Sequence, residues 1–377
     1  MTRAGALRAR LVALCAIACT APYAGRAAAA NATSAAQLRI ISIDVDGGAA
    51  TLYVTPRGHA LLIDTGWPAG RGGVRGAPGA PPPPPPTSSA QRIVDAARAA
   101  GVSKLDYLVI SHYHVDHVGG VHDLLALMPV DTIVDHGPNR ETPAPTLAPE
   151  RLATQPIALY PRYAEVVAAR KHRVLKAGDT LKLDGVVFTA VTSDGERIAK
   201  PLPGAGAPGA DCAHATSKAG TDNGGEENVR SVGLLAQWGS ARILALADTP
   251  WDQENALVCP INRIGRVNLM FADDHGSDVG SSPTFLSSVT PSVVIMNNGS
   301  TKGAAAGALE RVAALTGSQG LWQLHFATRS PEKNAPADQI ANPDGADAMA
   351  TLTIAVDRSG RFTVTNGRNG FSRTYDR

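Results

Sequence analysis

The chain has 377 residues, of which 44% are hydrophobic and 18% charged, which is enough for one large globular domain and too apolar for a disordered chain. Its 38 glycines, 27 prolines and few aromatic residues are typical of many short strands joined by loops. The formal net charge is +2 and basic residues cluster only in short pairs such as Arg170-Lys171, so tight binding to a long nucleic acid is not expected.

Residues 1–30 differ in composition from the rest of the chain. Three arginines precede an apolar stretch from Leu11 to Ala18, and small residues follow up to Ala30. This pattern is typical of a secretory signal peptide, and the apolar stretch is shorter than the roughly 20 residues that span a bilayer. We therefore predict an exported protein, periplasmic or extracellular, with no transmembrane segment after signal removal. A frayed, alanine-rich terminus is the alternative.

Removal of this segment would change both the charge and the cysteine content. The remaining chain would carry 31 basic and 33 acidic residues and two cysteines, Cys212 and Cys259. An even pair in an oxidising compartment predicts one disulfide bond, the alternative being two buried free thiols. Cys19 follows Ala16-Ile17-Ala18, which leaves a lipoprotein as a minor alternative.

Strand-like segments begin directly after the predicted signal peptide. Short apolar or β-branched runs predict strands at Leu38–Ile43, Ala50–Val54 and Ala60–Ile63. Residues 67–87 are rich in glycine and proline and predict an extended surface insertion, because six consecutive prolines cannot form a helix. An amphipathic helix is predicted over Ser88–Ala100, capped by Ser88 or Ser89. Since this helix follows at once, we interpret residues 31–377 as one domain.

The middle of the chain continues with alternating elements. Leu105–Ile110 predicts a buried strand that runs into a histidine cluster, and a helix follows from Gly119-Gly120 to about Leu127. Beyond it we predict a strand at Val130–Val134, a Pro-rich loop over 137–160, a helix at Tyr163–Arg170 and two strands within Leu181–Thr192. Residues 194–227 form a long Gly/Ala/Pro loop, and loops of this length are often functional, for example as a flap over a site.

The last third alternates strands and helices. Strands are predicted at Ser231–Gln237, Arg242–Ala247, Val267–Phe271, Ser292–Met296, Leu321–His325, Thr351–Val356 and Phe362–Thr365. Helices are predicted at Trp251–Leu257, Ser282–Ser288 and Ala304–Leu315. Two strand-rich halves flanked by helices indicate the α/β class, with two sheets stacked face to face and helices outside.

Three histidines and an aspartate lie within the run His112–His117, after a predicted buried strand. Imidazole nitrogens and carboxylate oxygens are ligands that Zn²⁺, Mn²⁺ and Fe accept readily. In an irregular turn, His112 and His114 can reach one ion while Asp116 and His117 reach another. Two ions about 3.5–4 Å apart can share a hydroxide that acts as the nucleophile. We therefore predict two divalent metal ions, Zn²⁺ first, with Mn²⁺ or Fe as alternatives.

The run resembles the signature of the metallo-β-lactamase superfamily, and its surroundings resemble the ComEC-type branch, named for the hydrolase-like domain of a DNA-uptake protein. The segments that carry the resemblance are Asp44–Gly48, Leu61–Gly66, Glu227–Val232, Leu244–Asp248, Asp274–Ser277 and Pro291–Met296. They follow in order over nearly the whole chain after residue 30. The resemblance implies a four-layer αββα sandwich and a hydrolytic activity.

The resemblance also implies the remaining metal ligands. Asp248 is expected to bridge the two ions, and His275, with Asp274 as its rival, completes the set. The expected ligands are thus His112, His114, Asp116, His117, Asp248 and His275. Asp248 follows a predicted buried strand, where a rigid ligand should lie, and the alternative is a helix cap ahead of Trp251. Asp64 is expected to accept a hydrogen bond that orients a histidine.

The sequence departs from the family pattern at two places. The branch usually has paired histidines where this chain has Asp274-His275. The β-lactamases and lactonases of the superfamily also supply a histidine between the first cluster and the bridging aspartate, and His136, His172 and His214 lack the glycine-flanked setting expected of it. The ComEC-type branch commonly lacks this residue, so the gap argues against β-lactamase activity more than against hydrolysis.

The preferred function is an exported metal-dependent hydrolase that acts on phosphodiester or other small ester substrates. A hydroxide shared by the two ions would attack, oriented by Asp116 or Asp248. One alternative is a β-lactam or lactone hydrolase, and a second is a non-catalytic binding protein with a degenerate metal site, suggested by Asp274. The expected partner is a small-molecule substrate. His136 and His325 each end a predicted strand and are expected in the pocket wall or the core.

Overall fold

The computed structural model describes residues 37–71, 87–141, 147–218, 225–343 and 349–376. These residues belong to one compact unit, in which two sheets of nine strands each can be traced. The predicted signal peptide lies outside the described residues. Most of the predicted insertion at 67–87 and a part of the loop at 194–227 lie outside them as well.

The first sheet combines strands from the beginning and the end of the chain. In spatial order it contains β18 (Ser372–Tyr375), β17 (Phe362–Asn366), β16 (Leu352–Val356), β1 (Leu38–Ser42), β2 (Thr51–Val54), β3 (Ala60–Ile63), β4 (Leu105–Val109), β5 (Val130–Asp135) and β6 (His172–Val174). The pairs from β3 to β6 are parallel, whereas β1, β2 and β16 to β18 pair antiparallel. The carboxyl ends of β3, β4 and β5 therefore lie at one edge.

The second sheet is built from the middle of the chain. In spatial order it contains β15 (Ile340–Asn342), β14 (Leu321–His325), β13 (Val293–Met296), β12 (Leu269–Phe271), β11 (Ala241–Ala245), β10 (Gly233–Trp238), β8 (Val186–Ser193) and β7 (Thr180–Leu183), and β9 (Glu196–Arg197) pairs with β8. The pairs from β11 to β15 are parallel. The carboxyl ends of β11, β12 and β13 therefore also lie at one edge.

Helices cover the outer face of each sheet. They are α1 (Ser89–Ala99), α2 (Val115–Val118), α3 (Val121–Leu127), α4 (Pro149–Leu152), α5 (Pro156–Ala168), α6 (Gly225–Asn228), α7 (Trp251–Val258), α8 (Pro283–Val289) and α9 (Ala306–Thr316). Short 3-10 helices lie at Cys212–His214, Asp273–Gly276, Ser318–Gly320 and Ala337–Gln339. Ser88 caps α1 by accepting a hydrogen bond from the Gln91 amide, as one of the two predicted caps.

Three apolar clusters hold the layers together. One lies between the sheets and includes Tyr53 of β2 and Phe188 of β8, whose rings pack edge to face at 5.3 Å. A second packs Ile93 of α1 against the first sheet, and a third packs Leu309 of α9 against the second sheet. Each fully buried side chain of this size contributes about 1.5–3 kcal/mol. The predicted four-layer αββα sandwich is confirmed.

Two expectations about secondary structure are wrong. Residues 137–160 are not all loop, because α4 begins at Pro149 and α5 at Pro156, seven residues before the predicted helix at Tyr163. Proline is well tolerated in the first turn of a helix, where its missing N–H has no intrahelical acceptor. The short strands β6, β9, β15 and β18 were not expected. Strands β6, β15 and β18 lie at sheet edges, and β9 lies within the predicted loop at 194–227.

Cys212 and Cys259 form the predicted disulfide bond. It joins the 3-10 helix in the 194–227 loop to the residue that ends α7. Among the residues that the structure describes, no helix is long and apolar enough to cross a membrane.

Candidate metal centre

The expected ligands lie where parallel strands of both sheets end. The histidine run follows β4, Asp248 follows β11 and His275 follows β12. Loops at the carboxyl ends of parallel strands converge on one point, which is where ligands bind in many open α/β sheets. The topology thus brings residues that are far apart in sequence into one cluster between the two sheets.

Two overlapping groups of side chains are close enough to hold metal ions. In each group the candidate ligand atoms lie within 4.8 Å of one another. The first group contains Asp116, His117, Asp248 and His275, and the second contains His112, His114 and Asp248. Asp248 belongs to both groups, and every member except His114 is buried. All six expected ligand residues are therefore together.

The distances in the first group are short. His117 Nε2 lies 3.4 Å from Asp116 Oδ2, 3.3 Å from Asp248 Oδ1 and 3.2 Å from His275 Nε2. His275 Nε2 lies 3.1 Å from Asp116 Oδ2 and 3.5 Å from Asp248 Oδ2. In the second group, His112 Nε2 lies 3.9 Å from Asp248 Oδ2 and 2.9 Å from His114 Nδ1.

The outer nitrogens of two histidines are held by hydrogen-bond acceptors. His117 Nδ1 donates to Asp64 Oδ2 at 2.8 Å, and His275 Nδ1 donates to the carbonyl of Asn297 at 3.1 Å. In the neutral rings the proton therefore sits on Nδ1, and the two Nε2 lone pairs face each other. Two facing lone pairs repel unless a cation lies between them, so these residues fit a divalent metal ion.

Ser111 orients a third histidine in the same way. The Ser111 hydroxyl donates its hydrogen to Asp64 Oδ2 at 2.7 Å. Because that hydrogen is used, the Ser111 oxygen accepts a hydrogen bond from His112 Nδ1 at 3.0 Å. The Ser111 amide donates to Asp64 Oδ1 at 2.7 Å, which fixes the carboxylate. Asp64 therefore accepts the hydrogen bond that was expected of it. The imidazole and carboxylate donors suit Zn²⁺, Mn²⁺ or Fe.

His275, and not Asp274, belongs to the first group. Asp274 and His275 both have left-handed backbone angles, with φ values of 48° and 53°. This turn directs His275 into the cluster, while the Asp274 carboxylate accepts a hydrogen bond from the Ser277 hydroxyl. Gly303 packs on the turn so closely that a Cβ there would lie 2.2 Å from the His275 carbonyl oxygen.

Oppositely charged groups at the centre shift one another's pKa values. Burial alone would raise the pKa of Asp116, but Lys302 and His117 outweigh it and hold the pKa well below the usual range. Burial likewise opposes the charged form of His117, yet the carboxylates of Asp248 and Asp116 raise its pKa well above the usual value. The cluster is thus a buried set of carboxylates that demands positive charge nearby.

The contacts of α7 exclude the alternative role of Asp248 as a helix cap. The helix begins after Pro250, and no side chain caps its first turn, so Asp248 does not cap it.

Four other histidines pair with carboxylates. His136 pairs with Glu227 at 2.9 Å and His172 pairs with Asp135 at 2.9 Å, while His214 pairs with Asp211 at 2.6 Å. None of these three histidines belongs to either group. His325 is buried and pairs with Asp44 at 2.7 Å.

Two residues that contact the centre were not among the expected site residues. Lys302, from the loop after β13, contacts the Asp116 carboxylate. Glu227 is fully buried, and its Oε1 accepts a hydrogen bond from the Tyr113 amide at 2.9 Å, between two of the histidines. Glu227 begins one of the segments that carry the family resemblance, whereas Lys302 lies outside all of them.

A comparison of the sequence with protein families agrees with this geometry. Residues 43–220 match the family model of the metallo-beta-lactamase superfamily. The match covers a little under half of the chain and includes the histidine run, while Asp248 and His275 lie beyond it. Over the matched residues the chain is similar to the metallo-β-lactamase superfamily, and its two-sheet sandwich matches the metallo-β-lactamase fold.

Solved structures of this fold resemble the chain distantly, and no curated protein matches it significantly. YhfI from Bacillus subtilis, a metallo-beta-lactamase fold protein, has a TM-score of 0.44 and 10% identity over 76% of this chain and 95% of its own. CmlA, a diiron beta-hydroxylase from Streptomyces venezuelae, has a TM-score of 0.36 and 13% identity over 69% of this chain and 44% of its own. A diphosphatase of the PhnP family has a TM-score of 0.35 and 13% identity, covering 68% and 85%.

Proposed function

We propose that this protein is a metal-dependent hydrolase that acts on phosphodiester or other small ester substrates. The observation that carries the proposal is the pair of ligand groups that share Asp248. Their histidines are oriented from outside by Asp64, Ser111 and the Asn297 carbonyl, as is usual for histidines that bind a metal.

The six side chains would hold two divalent ions, Zn²⁺ first, with Mn²⁺ or Fe as alternatives. Such ions supply Lewis acidity, which makes water a nucleophile at neutral pH and stabilises negative charge on the substrate. His112 and His114 would bind one ion, and Asp116, His117 and His275 the other. Asp248 would contact both.

Asp116 and Asp248 are the proposed catalytic residues. Both carboxylates are buried at the centre, and the low pKa of each keeps it ionised. An ionised carboxylate can orient the attacking water by accepting a hydrogen bond from it. The position of Asp116 Oδ2 supports this role, since the atom lies 3.1 Å from His275 Nε2 and 3.4 Å from His117 Nε2.

The contacts of the remaining histidines support an ester substrate over a β-lactam. His136 and His172 are held by Glu227 and Asp135, so neither supplies the additional histidine that β-lactamases of the superfamily use. We propose membership of the ComEC-like branch on this ground and on the segments quoted above. The balanced charge favours a small-molecule substrate over a long nucleic acid.

We also propose that the protein is exported. The disulfide bond supports this location, since such bonds persist in oxidising compartments. The basic and apolar residues at the beginning of the sequence support it as well. Fractionation of expressing cells, followed by N-terminal sequencing, would find the protein outside the cytoplasm and without its first residues, or would refute the proposal.

The activity can be tested with two chromogenic substrates. The purified chain, with its metal content measured, is assayed with bis-p-nitrophenyl phosphate and with a chromogenic cephalosporin. We expect hydrolysis of the phosphodiester, lost in Asp248→Ala and retained in His59→Ala, an exposed histidine far from the ligands. Hydrolysis of the cephalosporin alone would identify a β-lactamase. Absence of both metal and activity would identify a binding protein with a degenerate site.

A further inference from the structure

We propose that Lys302 and Trp67 form a subsite for an anionic oxygen of the substrate at the rim of the candidate metal centre. The subsite specifies a phosphodiester, whose non-bridging oxygen would accept a hydrogen bond from the Lys302 ammonium. This inference rests on the proposed hydrolase function, because it names the substrate of the same site.

The backbone around Lys302 holds the residue against the metal centre. The loop that carries it packs on the turn after β1, where a Cβ at Gly47 would lie 3.0 Å from the Gly299 Cα. The Gly299 amide donates to the Lys302 carbonyl at 2.9 Å, and Lys302 Nζ donates to the Gly47 carbonyl at 3.0 Å. Gly47 and Gly299 have no side chains and therefore permit the two loops to approach closely, which positions Lys302 at the rim of the metal centre.

Lys302 has a hydrogen-bond donor left for a ligand. Its ammonium has three N–H donors, and within the described part of the chain its acceptors are the Asp116 carboxylate and the Gly47 carbonyl. The side chain is 32% exposed, so water and a small substrate can reach it. A cation held by Asp116 would weaken the attraction between that carboxylate and Lys302 and leave the ammonium in need of another anion.

Trp67 supplies the second wall of the subsite. The Lys302 ammonium lies 5.4 Å from the centre of the Trp67 ring, in the range of a cation–π contact. The ring is fixed because its Nε1 donates to the Asp46 carbonyl at 3.1 Å. Trp67 is half-buried, and the exposed part of its side chain offers an apolar surface beside the cation. An ester with an anionic oxygen and an apolar or aromatic group matches both walls.

Matched charged and neutral substrates test the subsite. We expect Lys302→Met to raise KM for bis-p-nitrophenyl phosphate about tenfold and KM for the neutral p-nitrophenyl acetate by a clearly smaller factor. Lys302→Arg should restore much of the loss, because it keeps the charge. Lys104→Met is the control, since Lys104 pairs with Asp131 before β4, at the strand end opposite to the histidines. An equal loss for both substrates, or no loss, would overturn the proposal.

A binding measurement separates this inference from the proposed function. Affinity for inorganic phosphate is measured by calorimetry on metal-loaded wild type and Lys302→Met with equal metal content. About tenfold weaker binding by the variant supports the subsite even if the wild type hydrolyses neither substrate, in which case only the hydrolase proposal fails. Equal affinity overturns the subsite. If Lys302→Met lowers hydrolysis of the cephalosporin and leaves hydrolysis of bis-p-nitrophenyl phosphate unchanged, the anion that Lys302 binds is a carboxylate. That result would overturn the phosphodiester assignment.

Discussion

Asp64 Oδ2 lies 2.8 Å from Nδ1 of His117 and accepts a hydrogen bond from it. The same carboxylate accepts hydrogen bonds from the amide and the hydroxyl of Ser111, and Ser111 in turn orients His112. One buried aspartate at the end of β3 therefore sets the orientation of histidines in both ligand groups. An acceptor of this kind fixes the tautomer of a metal-binding histidine and raises its basicity.

Replacement of this acceptor should weaken metal binding without unfolding the protein. In Asp64→Asn the side chain keeps its size, but its NH2 group cannot accept a hydrogen bond, so only one of the two acceptor oxygens remains. We expect the affinity for the metal to fall about 10–100-fold, which competition with a chelator would measure. Asp123→Asn, at a half-buried carboxylate on α3 outside both ligand groups, is the control. An unchanged affinity in Asp64→Asn would show that the histidines do not depend on it.

The sequence predicts that the candidate ligands follow strands, and the structure has the histidine run and Asp248 after β4 and β11. His112 and Asp248 each follow an apolar strand, but the two strands belong to different sheets, so it was the family resemblance that implied a ligand at Asp248. Lys302 could not be predicted, because it lies in a polar loop and reaches the centre only through tertiary packing. Its approach depends on Gly47 and Gly299, whose contact follows from the fold and not from either segment.

Residues that depend on long-range pairing were also missed in the fold. Strand β6 has no buried residue, so its sequence lacks the alternation that marks a strand. It pairs with β5 all the same, because the edge of the parallel sheet offers free backbone groups. The predicted helix at Tyr163–Arg170 misses the beginning of α5, because proline occurs both in loops and in the first turn of helices.

Glu227 should stabilise the loop that carries the histidines. Its Oε1 accepts from the Tyr113 amide and contacts His136 Nε2, both at 2.9 Å and both buried. In Glu227→Ala these groups lose their partner, which costs about 2–4 kcal/mol. We expect urea unfolding to show this decrease in the free energy of unfolding. The adjacent Glu226→Ala removes an exposed carboxylate and should change it little, and equal effects would contradict the account.

Glu141 should make the stability depend on pH. Burial, with the nearby carboxylates of Glu227 and Glu226, raises its pKa to about 7. Since the folded pKa exceeds the unfolded one, the stabilisation is present below about pH 4.5 and is lost as the pH rises through 7. Glu141→Gln should therefore gain in Tm over the wild type as the pH rises from 5 to 8. A difference in Tm that is independent of pH would contradict this prediction.

The disulfide bond should contribute to stability and not to the chemistry. Cys212 and Cys259 are 47 residues apart in sequence, and neither belongs to a ligand group. A double Cys212→Ser, Cys259→Ser variant should lose about 2–4 kcal/mol of stability and keep its metal content. Thermal unfolding with and without a reductant would check this. The reductant should lower the Tm of the wild type and leave the variant unchanged, whereas loss of metal from the variant would be contrary to expectation.

The number of metal ions per chain tests the central claim most directly. Elemental analysis of purified wild type, after dialysis against excess Zn²⁺ and removal of free metal, should find two ions per chain. Asp248→Ala should bind fewer than one, because both ligand groups lose a member. His59→Ala should match the wild type. A wild type with no bound metal, or an Asp248→Ala variant that still binds two ions, would contradict the dinuclear centre.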